Sequence, residues 1–365
     1  MGASPLHLDL TLKPRTRFDA IDVVQTVDDR FGNVLDGRRK VLYCSHHTTA
    51  GFFDAFTARR FRHQRDRMEP FVDSFRSLFP QHAGYRHDAM ELRSELSEDQ
   101  RRIEPPNADA HLAFIGAGLK NCVTYDHYPG NPVYFMELDG EHQGRFRSRT
   151  ATLLAYDRET CITTQRFTVP VSHHSIDSVN IADPRLGLFQ QIEELIAQEG
   201  FPFGRIDIAL DGAEQDSAVT VNEFETLLMR HDLEEVLRDP LKFVMHQGRR
   251  VLADPRTVPA KSRGYAKYDV VQIINLMMDA LGLSESSVER LVARLMGYPA
   301  QRLLRFKRSI CFPIAPGDDG RPRIIRGRYQ SPILIQWRAA PRQNRELRLR
   351  LTRFQGADAV ASPLK

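Results

Sequence analysis

Residues 40–50 read KVLYCSHHTTA, and the fold is decided there. Val41 to Cys44 form a short apolar run with β-branched and aromatic members, the pattern of a core strand. It stops at Ser45 and gives way to His46, His47, Thr48 and Thr49, so a polar cluster sits at the strand's end. Successive side chains of an extended chain point to opposite faces, so only one of the two histidines enters a shared site. His47 is the choice, because Thr48 and Thr49 then line the turn that follows.

Working outward, LHLDLTL at 6–12 alternates apolar and polar residues and reads as a half-buried strand. Residues 21–27 read as a short helix or irregular chain, and FGNVLDG as a turn. Downstream, residues 61–78 are helical in outline, with Phe71, Val72, Phe75 and Leu78 at helix spacing. Pro70 is placed to begin that helix and Pro80 to end it. A charged stretch runs through Glu104, Pro105-Pro106 leads into a small-residue helix at 108–119, and strands are expected at 132–138 and 145–156.

A second unit begins after about Thr163, with strands at RFTVPVS and 204–210, helical regions at 183–199 and 222–237, and a buried helix at 268–281. Ser286 with Glu289 forms a capping-box pattern, closed by Gly297 and Pro299. Pro313 and APGDDGRPR mark a loop, and SPILIQW and ELRLRLTRF read as final strands, Arg348 and Arg350 facing away from Leu347, Leu349 and Leu351. The sequence shows no internal repeat. The expectation is an α+β protein, with an N-terminal α/β domain over 1–162 and a mixed α+β domain over 163–365.

The 365 residues, 41% apolar and 27% charged, suit a globular chain with a sizeable core. No run approaches the roughly 20 apolar residues of a membrane span. The opening MGASPLHLDL lacks the basic start and apolar stretch of a signal peptide. Cys44, Cys122, Cys161 and Cys311 form no CxxC pair and read as reduced thiols of a cytoplasmic protein. The net charge of +4 conceals an asymmetry: residues 302–365 hold 15 Arg and Lys against 4 Asp and Glu, which leaves the rest of the chain at −7. Such a basic region suits solvated arginines, a partner subunit or a phosphorylated ligand; without a recognition-helix or RNA motif, nucleic acid is not the expected partner.

Histidines recur in the first domain within SHHTTA at 45–50, YRHD at 85–88 and NADAH at 107–111, and YFMELD at 134–139 adds carboxylates. Neutral imidazoles bind zinc-like metals well, and a carboxylate completes such a shell. There is no HExxH and no GxSxG, so any site is assembled in three dimensions.

In that order the motifs resemble those of the YjbQ-like family, uncharacterised protein family UPF0047, over roughly residues 8–156. The histidine-threonine motif is matched by His47, Thr48, Thr49 and Ala50, the Tyr-x-His motif by Tyr85 and His87, and the Asn-x-x-Ala-His motif by Asn107, Ala110 and His111, with Gly116 downstream. Glu137, Asp139, Arg147 and Arg149 match a late strand ahead of an Arg-rich hairpin. Where the family carries Gly-x-Trp-Gln, residues 128–133 read YPGNPV; the 89–102 stretch and everything after about Thr163 have no family counterpart.

The resemblance implies an α+β subunit, usually trimeric, with histidines around a metal or ligand pocket and an association with weak thiamine-phosphate synthase activity. Carried over by position, the metal ligands are His47, His87 and His111, with Glu137 as a fourth or neighbouring carboxylate. Zinc or another divalent metal is then the cofactor, and no organic cofactor is expected. Asp88 or Glu137 would move a proton, Asn107 or Thr49 would orient the substrate with Thr48 beside it, and Arg147 and Arg149 would receive a phosphate or carboxylate. The function expected is that of a metal-dependent enzyme, of transferase or lyase/hydrolase type, acting on a small anionic metabolite. The alternative is a non-enzymatic, metal-stabilised oligomeric binding protein.

Overall fold

The computed structural model describes residues 4–240, 242–243 and 304–356. The expected helix at 268–281 and the capping box at Ser286 lie outside the described residues.

In the first part of the chain, β1 (Leu6–Leu12) and β2 (Asp19–Asp22) lead into α1 (Val23–Phe31), whose N-terminus is capped by the Asp22 carboxylate. Then come β3 (Lys40–Ser45), β4 (Ala50–Gly51), α2 (Ala55–Arg60), α3 (Arg65–Leu78), α4 (Glu98–Ile103) and α5 (Ala108–Gly116). β5 (Cys122–Asp126), β6 (Tyr134–Glu137), the small hairpin β7 (Glu141–His142) and β8 (Arg145–Phe146), and β9 (Arg149–Tyr156) follow.

In the later part, β10 (Arg158–Pro170), β11 (Asp177–Asn180), α6 (Leu188–Glu199), β12 (Gly204–Leu210) and β13 (Ser217–Asn222) precede a π-helical turn at Leu228–Asp232 and α7 (Leu233–Arg238). β14 (Ser309–Pro316), β15 (Pro322–Ile324), β16 (Ser331–Gln336) and β17 (Asn344–Gln355) complete the described elements.

The mixed α and β content agrees with the expected class. The chain divides by contacts into two units that each use separated stretches. The first comprises residues up to Arg65, Leu119–Glu223 and residues from Lys307 onward; the second comprises Asp66–Gly118 and Phe224–Phe306. Residue 163, where the sequence suggests a second unit, falls within β10.

All the major sheets belong to the first unit. One has strand order β1-β9-β3-β5 and another β10-β17-β12-β14-β15, while the two smaller ones run β2-β6-β4 and β11-β16-β13. The orders are parallel lists: β1, β9, β3 and β5 correspond to β10, β17, β12 and β14, and β2, β6 and β4 to β11, β16 and β13. The strand orders therefore match although the sequence shows no repeat. A repeated arrangement needs only a repeated apolar pattern, not repeated residues.

Among the described residues, two buried clusters pack within the first unit. Leu347, Leu349 and Leu351 of β17 pack with Ile206 and Ile208 of β12, Phe312 of β14 and Ile192 and Ile196 of α6. The alternation read in ELRLRLTRF therefore points its leucines inward as expected. Leu42, Cys44, Cys122, Leu154 and Tyr156 pack against Cys311, Ala315 and Phe354. Tyr156 stacks on Phe354 with ring centroids 3.7 Å apart and 8° between planes. The four cysteines are free thiols, three of them buried and Cys161 exposed.

Three local readings change. α3 starts at Arg65 and carries Pro70 inside it, because its buried stripe of Met68, Val72, Phe75 and Leu78 outweighs one missing amide bond. The strand β14 runs on through Pro313 to Pro316, so the loop read at Pro313 and APGDDGRPR begins only at Gly317. Pro313 is tolerated there, and its carbonyl accepts from Ile325 N at 2.9 Å. The start of the region read as helical at 222–237 closes β13, which is buried along its whole length.

Candidate metal centre

His87 and His111 both belong to the second unit and are almost wholly buried, at 0% and 1% exposure. His111 lies on α5, the helix that opens after Asn107, and His87 lies in the loop after α3. Their ring centroids are 5.3 Å apart, with planes inclined at 60°.

The protonation of His87 follows from its neighbours. Arg93 is fully buried and its Nη1 lies 3.2 Å from His87 Nε2. A guanidinium can only donate, so Nε2 accepts and the ring proton sits on Nδ1. Nδ1 donates to Asp88 Oδ1 at 3.2 Å, and the same oxygen accepts from Ala108 N at 2.9 Å. A carboxylate that fixes one ring nitrogen while the other presents its lone pair is the arrangement used to orient a metal-binding histidine.

The loop is held from below by Asp232, whose two carboxylate oxygens accept from Arg86 N at 3.0 Å and His87 N at 2.9 Å. Burial raises the Asp232 carboxyl above its usual range, against the pull of those two amides and of His231.

Two groups of side chains among the described residues are placed to hold a metal ion, with ligand atoms within 4.8 Å of one another. One contains His87 and His111; the other is His231, Asp232 and Glu235. In the second, His231 lies between Asp232 Oδ1 at 3.4 Å and Glu235 Oε1 at 3.6 Å, and Glu235 also pairs with Lys242, so its charges are already balanced. The first fits a metal better. Two buried imidazoles suit a zinc-like ion. The His87 lone pair such an ion would use is the one that now accepts from Arg93.

Apart from Asn107, the remaining sequence-selected residues lie in the first unit. His47 Nε2 accepts from Thr150 N at 2.8 Å, and its Nδ1 faces Arg149 Nη1 at 3.4 Å. Burial, with Arg149, His46 and Arg147 adding to it, lowers the His47 pKa to about 3, so the ring is neutral. Arg149 is 3% exposed and clamps Glu137, donating from Nη2 to Oε1 at 2.8 Å and from Nε to Oε2. Its Nη2 also reaches Thr49 Oγ1 at 3.5 Å, and Arg147 pairs with Asp139. Burial raises the Glu137 carboxyl while Arg149 opposes the rise. Gln330 Nε2 pins the loop by donating to the carbonyls of Ser45 and His47 at 2.8 and 2.9 Å, and Asn222 Nδ2 donates to Thr48 O at 3.1 Å.

His87 and His111 are therefore brought together with Asp88, and His47 is brought to Glu137 through Arg149. Neither His47 nor Glu137 belongs to either metal-capable group. Asn107 precedes α5 and is buried beside the first group's helix. Sequence reasoning missed Arg93 and Asp232: ELRSEL at 91–96 reads as a solvated polar run, and HDLEEV at 231–236 as the outer face of a helix.

No family model matches the chain, and no curated protein does. Among solved structures, a YbjQ-like protein of unknown function from Sulfolobus solfataricus P2 is 16% identical, covering 54% of this chain and 99% of that one with a TM-score of 0.28. A hypothetical protein from Aeropyrum pernix K1 is 15% identical over 53% of this chain and 99% of its own, TM-score 0.27. An uncharacterized conserved protein of the yjbq/upf0047 family from Clostridium acetobutylicum is 17% identical over 40% and 98%, TM-score 0.28. The likeness to these proteins is distant and partial. No helix among the described residues is long and apolar enough to cross a membrane.

Proposed function

We propose that the chain is a metal-dependent enzyme whose centre is built on His87 and His111 and which acts on a small anionic or phosphorylated metabolite. The observation that carries this reading is the buried pair itself, with His87 oriented by Asp88 so that its Nε2 lone pair is the presented atom. A divalent ion such as zinc, when bound, would supply Lewis-acid polarisation of a substrate oxygen.

The protein's own groups do the rest. Asp88 holds the His87 proton on Nδ1, and Arg93, paired with Glu95 and Glu104, places a guanidinium beside His87. Asn107 is the proposed orienting group within the same unit; Thr48, Thr49, Arg147, Arg149, His47 and Glu137, which the sequence motifs suggest, belong to the first unit and are not assigned to this centre. Transferase or lyase/hydrolase chemistry in a cytoplasmic homo-oligomer, a trimer by the motif resemblance, completes the reading.

A second reading is favoured by one contact. Arg93 Nη1 already occupies the lone pair of His87, which is how a metal-free polar core would be satisfied. Elemental analysis of tag-free protein purified without added metal separates the two. Near-stoichiometric zinc or another transition metal, lost in folded His87→Ala and His111→Ala variants, is the expected result. Native protein free of metal, and unable to take up zinc on dialysis, would leave the pair as a structural cluster.

A further inference from the structure

The correspondence between the sheets of the first unit extends to single hydrogen bonds. Phe52 N donates to Lys120 O at 2.8 Å, and Val219 N to Lys307 O at 2.9 Å. His46 N donates to Thr150 O at 3.2 Å, and Asp211 N to Glu346 O at 2.9 Å. Leu138 N reaches Thr49 O at 3.2 Å, and Trp337 N reaches Asp216 O at 3.0 Å. Each pair places its members at matching points of matching strands, so one alignment accounts for all of them.

The same alignment superposes two buried arginines at the heads of β9 and β17, Arg149 and Arg345, 3% and 5% exposed. Arg149 Nη2 donates to Asp139 O at 2.6 Å, and Arg345 Nη2 to Arg338 O at 2.6 Å. Where Thr150 N donates to His47 Nε2 at 2.8 Å, Glu346 N donates to Glu214 Oε1 at 2.8 Å. Where Arg149 Nη1 faces His47, Arg345 Nη1 donates to Glu214 Oε2 at 2.9 Å. Where Arg149 Nε meets Glu137, Arg345 Nε meets Gln336 Oε1 at 3.2 Å.

We propose that residues 6–156 and 158–355 are two copies of one fold joined end to end, and that Arg149 and Arg345 are the same locking residue met twice. A buried guanidinium needs one carboxylate to balance it. Each copy supplies one in hydrogen-bond contact, together with one neutral partner, but at exchanged positions: Glu137 with neutral His47 in the first copy, where Asp139 lies further off at 4.0 Å, and Glu214 with neutral Gln336 in the second. Each lock ties the loop after the middle strand, residues 46–49 or 211–216, to the sheet.

This assigns the histidine-threonine loop of the first copy to holding the fold. It also explains the make-up of the second unit. The insertion between β4 and β5 supplies His87 and His111, and the insertion at the equivalent point between β13 and β14 supplies Asp232, so the candidate centre is a composite of both copies.

The test is a swap within the full-length chain after dialysis against a chelator, read by thermal unfolding, so its outcome does not depend on whether the centre binds metal. Glu137→Gln removes the carboxylate hydrogen-bonded to a buried guanidinium and leaves it only the more distant Asp139, 4.0 Å away, among the described residues, and His47→Glu gives it a second carboxylate in hydrogen-bond reach. The double variant reproduces the second copy's arrangement. Each single change is expected to lower Tm by several degrees, and the double to recover most of the combined loss. Glu214→His with Gln336→Glu is expected to show the same coupling in the other copy. If a single variant does not fold, a folded double variant gives the same support. Losses that simply add in both pairs, or doubles that fail to fold in both, would overturn the equivalence.

Discussion

His47 shows how far one side chain's environment moves its chemistry. Burial, Arg149, His46 and Arg147 together bring its pKa to about 3, against about 6.5 in an unfolded chain. The unfolded state therefore binds the extra proton first as pH falls. Stability from this group is fully present above about pH 6.5 and is lost as pH falls toward 3, by roughly 1.4 kcal/mol per pH unit in that window. Denaturant titrations at steps of pH should show this slope in the native chain. His47→Gln, which keeps an acceptor for Thr150 N, should flatten it; an identical slope in the variant would mean that other groups carry the acid sensitivity. Much of this residue's surroundings was legible, since SHHTTA at a strand end already announced a polar constellation. Its partner was not: a strand-head arginine reads as solvent-facing, and only the fold reveals that Arg149 is buried on Glu137.

The strand ends and the loops between them carry the next level of constraint. Gly327 precedes β16 in a turn where Gln330 Nε2 donates to the carbonyls of Ser45 and His47. A Cβ at Gly327 would lie 1.8 Å from His46 O, a backbone atom with no freedom to step aside. Gly327→Ala should therefore cost about 1–3 kcal/mol, the usual range for overpacking, by pushing the histidine loop off its strand. A variant with unchanged Tm would show that this turn yields freely. Strands with clean alternation, β1 and β17, were legible because one face is buried and the other wet. β14 was not, because Pro313 and Pro316 read as loop residues, and β13 was not, because SAVTVN offers only a short apolar run between a turn and a helical region. α3 was found but not its start, since Pro70 looks like a first-turn residue until the stripe beginning at Met68 is seen to be buried.

At the scale of the whole molecule, the sequence conceals the repeat because the corresponding residues differ in kind: His47 faces Arg149 where Glu214 faces Arg345, and Glu137 stands where the other half has Gln336. What persists is strand order and the need to neutralise one buried charge, neither of which an eye scanning for identical residues detects. The same organisation separates two regions that should open independently, since the second unit has its own packed side chains and hydrogen bonds. Within it, Asp232 is the carboxylate that receives two consecutive amides, Arg86 N and His87 N, at 1% exposure. Asp232→Ala would orphan both donors, and each buried unsatisfied group costs about 1–3 kcal/mol. Amide exchange in residues 66–118 should then accelerate by roughly tenfold or more, a factor that corresponds to about 1.4 kcal/mol, while β9 and β17 of the first unit keep their protection. Asp232→Asn, which retains one acceptor oxygen, should fall between native and alanine. Uniform acceleration across both units would show that they open as one, and no acceleration in 66–118 would show that the His87 loop is held by something other than Asp232. The expected pattern would place the candidate centre on a region whose order depends on a residue contributed from 145 positions further along the chain.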